Sequence, residues 1–415
     1  MDNIYKVNFI HRFDLMAKIL YVKYRSINFF KQLYKNNIET FNGGWEYPGT
    51  KINVDEFIKE FDKLIESFRK SKFVEKHSIP LGTNKVIQNG AHRLAISYVD
   101  KINPIFTNIK MTGNINYNHL FFKDRKPKQE SGRPKILSGM DQKYMDRMAL
   151  EFCFNVKNFK IICLFPSAIG KNDRTESILK QNGHIYYRKR IKISKKAMIH
   201  LTYELYRGEK WIGGFYPTSN SKGNLCYGKD DLRIYIFIPN NKCNIVNMKK
   251  SIRDVYKIDK HSIHIHDTYE EGLRIAKTVL NSNSIHFLEK SIFKLTPKNK
   301  NLLLSFYNSV KPDMNDYCID SSFVLALYGL REAKDLDYLT IDNKTKITTN
   351  KDINNHNSWS HHYTTNKNNI ILDPDLHFYY AGIKFVTLDI VKNMKIKRGE
   401  DKDKKDVKLI NKFIV

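Results

Sequence analysis

Apolar residues recur along this chain in both helical and strand rhythms. Between Val54 and Ser67, the residues Phe57, Phe61, Leu64 and Ile65 return at three- and four-residue steps with charges between them, which predicts an amphipathic helix. Ile161–Phe165 and Leu232–Ile238 run apolar over strand length, and Glu270–Leu280 predicts a helix. Lys260–Asp267 alternates polar and apolar, so Ser262, His264 and His266 share one strand face. Further on, an apolar helix opens at Ser321 and Ser322 and stops near Gly329. A strand with Asp335 and Asp337 follows, and Asn369–Asp373 predicts another. The last part of the chain thus reads as helix, strand, strand, helix.

Polar stretches cut this pattern into three blocks. A Pro- and charge-rich loop, Lys123–Pro134, separates residues 1–125 from 136–290, and the Thr296–Asn301 segment leads into 295–415. The first block is helical early, and the second mixes strands and helices. The expected class is therefore α+β multi-domain, in keeping with 415 residues at roughly 100–200 per domain. Apolar residues at 41% suffice for real cores. No apolar run approaches the ~20 residues that span a bilayer, and the first residues lack the order of a secretory signal. Cys153, Cys163, Cys226, Cys243 and Cys318 are odd in number and form no CxxC pair. Neither a disulfide framework nor a zinc ribbon is expected, and the expected compartment is cytoplasmic. A net charge of +28 suits phosphate-rich partners and disfavours a cationic substrate, although Asn, Ile and Lys crowd the whole chain and part of the excess is compositional.

Asp335 and Asp337 carry the strongest chemical signal. Residues i and i+2 of a strand share a face, so both carboxylates point one way while Leu336 points to the core. Such a pair repels itself unless a cation joins it, and Mg²⁺ takes one or two carboxylates plus substrate phosphates. The helix start at Ser321-Ser322 offers unpaired N–H groups to a phosphate. A hairpin-like return would bring Asp373 beside the pair, and three carboxylates around two metals suit in-line phosphoryl transfer.

Ser321-Ser322, twelve residues, Asp335-Leu336-Asp337 and a later acid together resemble the nucleotidyltransferase superfamily, with its DNA polymerase beta-like fold, over residues 295–415. Gly329-Leu330-Arg331 is similar to an arginine-bearing turn of small members. Phe385–Leu388, Lys395, Arg398, Lys402, Asp403 and Asp406 look like the family's closing helices. Ser321 stands where the family usually has Gly, and Asp320 precedes it. The resemblance implies transfer of a nucleotidyl group from an NTP to a small phosphorylated or hydroxyl acceptor, for example in glycan modification. It implies Mg²⁺ or Mn²⁺ on Asp335, Asp337 and Asp373, with Asp373 helping to activate the acceptor. Ser321, Ser322 and Arg331 would meet the triphosphate, and Lys395 and Arg398 would neutralise developing charge. Two alternatives stay open: a basic nucleic-acid-binding or RNA-modifying protein of the same fold, and a catalytically degenerate interaction protein.

Other groups carry weaker signals. Val86–Ile96 reads as strand, tight turn and helix. Its Gly90-Ala91-His92-Arg93 resembles the phosphate-binding turn of the ParB/sulfiredoxin-like fold, with Asn89 in place of the usual acid. The resemblance implies phosphate or nucleotide binding by Gly90, His92 and Arg93. In the middle block, His264, His266 and Asp267 present zinc- or manganese-binding types; hydrogen-bonded histidines on a half-exposed strand are the simpler reading. Lys249, Lys250 and Arg253 would suit an anionic ligand. Tyr186-Tyr187-Arg188-Lys189-Arg190 would suit base stacking and backbone contact, or a plain strand with a charged outer face. His356, His361 and His362 surround Trp359 in a stretch expected to overhang the acidic site and reach a base or sugar.

Overall fold

The computed structural model describes residues 9–46, 51–71, 78–110, 116–126, 139–209, 211, 221–292, 295–341 and 350–414. The chain is a mixed α/β protein of two compact units, Met1–Val156 and Lys157–Val415. Among the described residues, no helix is long and apolar enough to cross a membrane. Most of the Lys123–Pro134 loop lies outside the described residues.

The first unit holds helices α1 (Asp14–Tyr24), α2 (Asn28–Asn42), α3 (Val54–Ser71), α4 (Ala91–Val99), α5 (His119–Lys123) and α6 (Gln142–Asn155). Strands β1 (Ile79–Leu81) and β2 (Phe106–Asn108) pair in parallel. Every residue of α1 from Asp14 to Val22 is buried. Its charges are settled internally: Asp14 accepts from Arg12 at 2.9 Å and Lys18 at 2.7 Å, with all three side chains buried. Burial alone would raise the Asp14 carboxyl, but the two cations outweigh it and hold it well below the carboxylate range. The predicted helix at Val54 forms, with Phe57, Phe61 and Ile65 inward. Helix α6, which the sequence pattern assigns to the second block, belongs to this unit. Its Met145, Met148, Ala149 and Phe152 are buried, and its Glu151 lies 2.5 Å from Lys23 of α1. The predicted strand at Val86–Asn89 shrinks to one bridge between Leu81 and Ile87.

Among the described residues, the second unit contains two sheets. The first is antiparallel, in the order β4-β5-β3-β6, with β3 (Lys160–Leu164), β4 (Gly183–Ile191), β5 (Leu232–Pro239) and β6 (Ile263–Ile265). Helices α7 (Asn172–Asn182), α8 (Lys195–Leu205), α9 (Ser221–Cys226), α10 (Ile245–Tyr256), α11 (Tyr269–Val279) and α12 (Ser282–Lys290) belong with it. One core joins Ile162, Leu164, Tyr235 and Phe237 of the strands to Leu179 of α7 and Met248 and Ile252 of α10. The second sheet, order β10-β11-β7-β8-β9, is mixed. It comprises β7 (Tyr317–Asp320), β8 (Leu336–Thr340), β9 (Ile353–Asn355), β10 (His377–Tyr380) and β11 (Ile383–Val386). Its helices are α13 (Pro297–Val310), α14 (Ser321–Tyr328), α15 (Lys367–Leu372), α16 (Leu388–Arg398) and α17 (Asp401–Ile414).

Polar ties make the middle and last blocks one unit. Buried Glu204 of α8 pairs with Arg207 and accepts the Ala381 N–H, in the turn between β10 and β11, at 2.8 Å. Asn281 and Asn283 donate to the backbone oxygens of Pro374 and His377. Breaking a buried ion pair strands the remaining charge. We therefore expect Glu204→Gln to destabilise the chain by about 3–5 kcal/mol, measured as a lower midpoint in urea unfolding.

Candidate functional site

Strand β7 ends at Asp320, which lies directly across the antiparallel pairing from Asp337 of β8. The chain then turns into α14, whose residues Phe323–Tyr328 are all buried. A helix apolar on all sides sits inside the core, so its first residues are held at the C-terminal end of the central strand β7. Ser321 makes the turn with φ +58°, a left-handed conformation that glycine adopts freely and other residues adopt at a cost. Asp335 precedes β8 on a half-buried turn that is pinned from α13: Asn299 Nδ2 donates to Ala333 O at 2.8 Å and Lys298 Nζ to Lys334 O at 2.6 Å.

These residues open onto a cavity of about 850 Å³ that includes Ser321, Ser322, Asp335, Asp337, His356 and Trp359 in its lining. Two of its lining residues, Asp337 and His356, meet the fully buried Asp320 beneath it. Asp320, Asp337 and His356 each offer a ligand atom, all within 4.8 Å of one another. His356 Nε2 lies 2.9 Å from Asp337 Oδ1, and its Nδ1 lies 3.6 Å from Asp320 Oδ1. Burial alone would lower the His356 pKa, but hydrogen bonds and charge from the two aspartates raise it to about 10. Burial raises the Asp337 carboxyl, the charges of Asp320 and Asp335 add to this, and His356 opposes it. Tyr363 donates its hydroxyl to Asp320 Oδ2; burial and that carboxylate push the Tyr363 pKa well above its ordinary value, so it stays a donor. Asp320 Oδ1 is buried, and its neighbour His356 Nδ1, at 3.6 Å, lies beyond ordinary hydrogen-bond reach.

The opposite wall is cationic. Arg331 grips Asp406 with Nε at 2.6 Å and Nη2 at 2.7 Å. Lys395, 2% exposed, lies 3.0 Å from Asp403 and 2.7 Å from Asp406. Arg398 forks onto Asp403 at 2.7 Å and 2.6 Å. Burial alone would raise Asp403, but Arg398 and Lys395 hold it at about 2. Glu400 lies 3.6 Å from Arg398 and 2.8 Å from Lys402, so four cations share three carboxylates, and Arg331, Lys395, Arg398, Glu400, Lys402 and Asp406 all line the cavity. The Lys/Arg/Asp pattern of the tail is a charge lattice that locks α16 to α17 and leaves a positive surplus facing the acidic floor.

Of the residues singled out from sequence, Ser321, Ser322, Arg331, Asp335, Asp337, Lys395 and Arg398 come together here, and His356 and Trp359 join them as the overhanging segment. Asp373 does not. The predicted strand at 369–373 is helix α15, started by Asn366, whose side chain accepts from the Asn368 N–H. Asp373 follows that helix, and its Oδ1 accepts from the Asp375 N–H. A short apolar run such as Ile370–Leu372 buries equally well in either conformation, and periodicity cannot separate them. Asp320 takes the position expected of Asp373. The signal for it is a short strand, Tyr317–Asp320, ending in an acid immediately before the small pair.

The remaining candidates lie elsewhere. His92 accepts no free role in the first unit: its Nε2 is 2.8 Å from Tyr34 Oη, its ring meets Phe61 at 4.5 Å, and burial lowers its pKa well below normal. Gly90, with φ +83°, starts α4, and Arg93 Nη1 donates to Ser78 O at 3.2 Å. His264 and His266 do not form a metal pair. Nε2 of His264 lies 2.9 Å from Glu271 and Nδ1 of His266 lies 2.8 Å from Thr268 O, and β6 is buried along its whole length rather than half-exposed. Tyr186 and Tyr187 are both buried, beside an irregularity in the β4–β5 register, so neither is available to stack on a base. All five cysteines are free thiols.

Asp320, Asp337 and His356 are of a type and spacing that could hold a divalent cation, with loss of the His356 proton on binding. Two carboxylates and one nitrogen suit Mn²⁺ better than Mg²⁺, which prefers oxygen alone. Compared with protein-family models, curated proteins and solved structures, the chain matches none.

Two expectations follow. Ser321→Gly should raise the thermal midpoint by relieving the left-handed turn, while Ser321→Ala should not; differential scanning calorimetry reads both. Asp403 has its pKa depressed from 3.8 to about 2 in the fold. Its stabilisation is therefore present above pH 3.8 and lost as pH falls through about 2. Acid unfolding should show a steeper loss over that window in the parent than in Asp403→Asn.

Proposed function

We propose that this protein is a metal-dependent nucleotidyltransferase that moves a nucleotidyl group from an NTP to a small phosphorylated or hydroxyl-bearing acceptor. The observation that carries the reading is the pairing of Asp320 with Asp337 at the edge of β7 and β8, beneath a cavity whose far wall has surplus positive charge. The named folds, polymerase beta-like for residues 295–415 and ParB/sulfiredoxin-like for residues 1–125, belong to the same proposal. The left-handed turn at Ser321 supports it, since that is the conformation for which the family's glycine is suited.

Asp320, Asp337 and His356 would hold the ion, which supplies neutralisation of phosphate charge when bound. The chain's own residues do the rest. Ser321 and Ser322, at the start of α14, orient phosphate oxygens with hydroxyl and backbone donors. Arg331, Lys395 and Arg398 are already fixed by Asp403 and Asp406, so they offer preorganised positive charge without moving. The acceptor oxygen attacks the α-phosphorus, the bond to the β-phosphate oxygen breaks, and pyrophosphate leaves. Asp335, half-buried and free of the aspartate–histidine cluster, receives the acceptor's proton. Exposed Trp359 at the rim offers a flat face to a base.

A specific feature favours one competing reading. The His356 imidazolium already neutralises the two aspartates, as a resident cation would, and an interaction protein with a degenerate site would keep that arrangement. Incubation with each NTP, Mn²⁺ or Mg²⁺ and a panel of phosphosugars distinguishes the two. Under the transferase reading pyrophosphate is released, and Asp337→Asn lowers the rate at least 100-fold and weakens Mn²⁺ binding. If no NTP yields pyrophosphate and Asp337→Asn leaves Mn²⁺ affinity unchanged, the degenerate reading replaces it.

A further inference from the structure

A second cavity, about 770 Å³, lies in the middle of the second unit, bordered by the end of α8 and by α9, α10 and α11. Its lining includes Arg207, Lys222, Lys249, Arg253, Lys260 and Arg274, against the acids Glu209, Asp267 and Glu271. The acids do not balance the cations. Glu271 is committed to His264 at 2.9 Å and to the Asp267 N–H at 2.9 Å. Arg207 is paired outside the cavity lining, with Glu204. Arg253 reaches Asp259 only at 3.7 Å, and its Nε is buried without a partner.

Four cations have no ion pair among the described residues: Lys222, Lys249, Lys260 and Arg274. Lys222 is 7% exposed. Its ammonium group donates to Lys260 O at 2.5 Å and stands 5.5 Å from the centre of the Tyr206 ring. The one hydrogen bond of Lys249 Nζ among the described residues is to Ile265 O, at 3.5 Å, with Asp267 and Glu271 acting on it through space, and Arg274 Nε donates to Glu204 O at 3.1 Å. Burial lowers the pKa of Lys222, Lys249 and Arg274 in turn. Elsewhere the fold pairs buried cations with carboxylates at Asp14 and Asp403, and it buries Lys384 singly, on the backbone oxygens of Asn315 and Ile371, rather than in a cluster around a hollow. Unpaired cations gathered on one hollow carry a desolvation cost that an anion would remove.

We propose that this cavity is a binding site for a small phosphorylated molecule, distinct from the Asp320–Asp337 centre. Lys222, Lys249, Arg253 and Arg274 bind the phosphate groups through charge-assisted hydrogen bonds. Tyr206 and Trp211, with ring centres 5.1 Å apart, form an aromatic wall beside them. The volume lies within the range of small-molecule sites, about 300–1,000 Å³.

The test uses the full chain in EDTA, so that no divalent ion assists at the other centre. Inorganic pyrophosphate, ADP and adenosine are titrated by calorimetry, with tryptophan emission as a second readout, since Trp211 borders the cavity. Pyrophosphate and ADP should bind one to one, and adenosine alone should not. Lys249→Gln with Arg253→Gln should weaken pyrophosphate at least tenfold, with an unchanged or higher thermal midpoint because uncompensated charge has gone. Lys260→Gln, at an exposed side chain, should weaken it about two- to threefold even if the double variant folds poorly. Asp337→Asn should leave it unchanged. ADP binding tighter than pyrophosphate identifies a nucleotide as the source, and equal affinity identifies the phosphate groups alone. The proposal fails if pyrophosphate does not bind in EDTA, if Lys260→Gln and the double variant bind as the parent does, or if Asp337→Asn abolishes binding.

Discussion

Two carboxylates facing each other across one antiparallel strand pair are the constraint from which the rest of the acidic site follows. Asp320 and Asp337 are both buried, so their mutual repulsion is poorly screened. Something positive has to lie between them or close by. The His356 imidazole fills that need from one side, brought there by the parallel pairing of β9 with β8, and Tyr363 supplies a neutral donor from the other.

Buried charge is handled in two ways in this protein. At Asp14, at Glu204 and in the α16–α17 lattice, each acid meets one or more cations at hydrogen-bond distance, and the result is a joint between elements. Such joints are worth little compared with apolar packing, but they are costly to break on one side only, which makes them good at holding one arrangement. In the two cavities the balance is left open. Surplus positive charge faces the acidic floor in one, and unmatched lysine and arginine line the other. Open balance in a concave site is how chemistry for a ligand differs from chemistry for a joint.

Much of the local structure was legible from residue order. The helices at Val54 and Glu270, the strands at Ile161 and Leu232, and the helix opened by Ser321 follow from periodicity, because each has one clearly apolar face or is apolar throughout. The grouping of Ser321, Ser322, Asp335 and Asp337 was legible too, since a strand and the helix before it leave few choices. What failed depended on distant partners. Ile370–Leu372 is too short to declare its conformation, and Asp373 was lost with it. Asp320 was passed over because its local signal, an acid closing a short strand before the small pair, gains its meaning only from the register of β7 against β8. Helix α6 was placed in the wrong unit because the polar loop before it outweighed its packing on α1. The cation-lined cavity of the middle block required four helices to converge, and only Lys249 and Arg253 announced it.

The pleat of β8 has an evolutionary corollary. Leu336 and Tyr338 point into the core while Asp337 between them faces the cavity, and Tyr338 is wedged against Phe306 and Tyr317. Insertion or deletion of a single codon within this strand would swap the two faces, sending an aromatic ring into the hollow and a carboxylate into the hydrocarbon interior. Point substitutions can drift through this segment one at a time, but frame-preserving indels cannot, and lineages descending from this chain should vary in the length of their loops while the strand keeps its five residues.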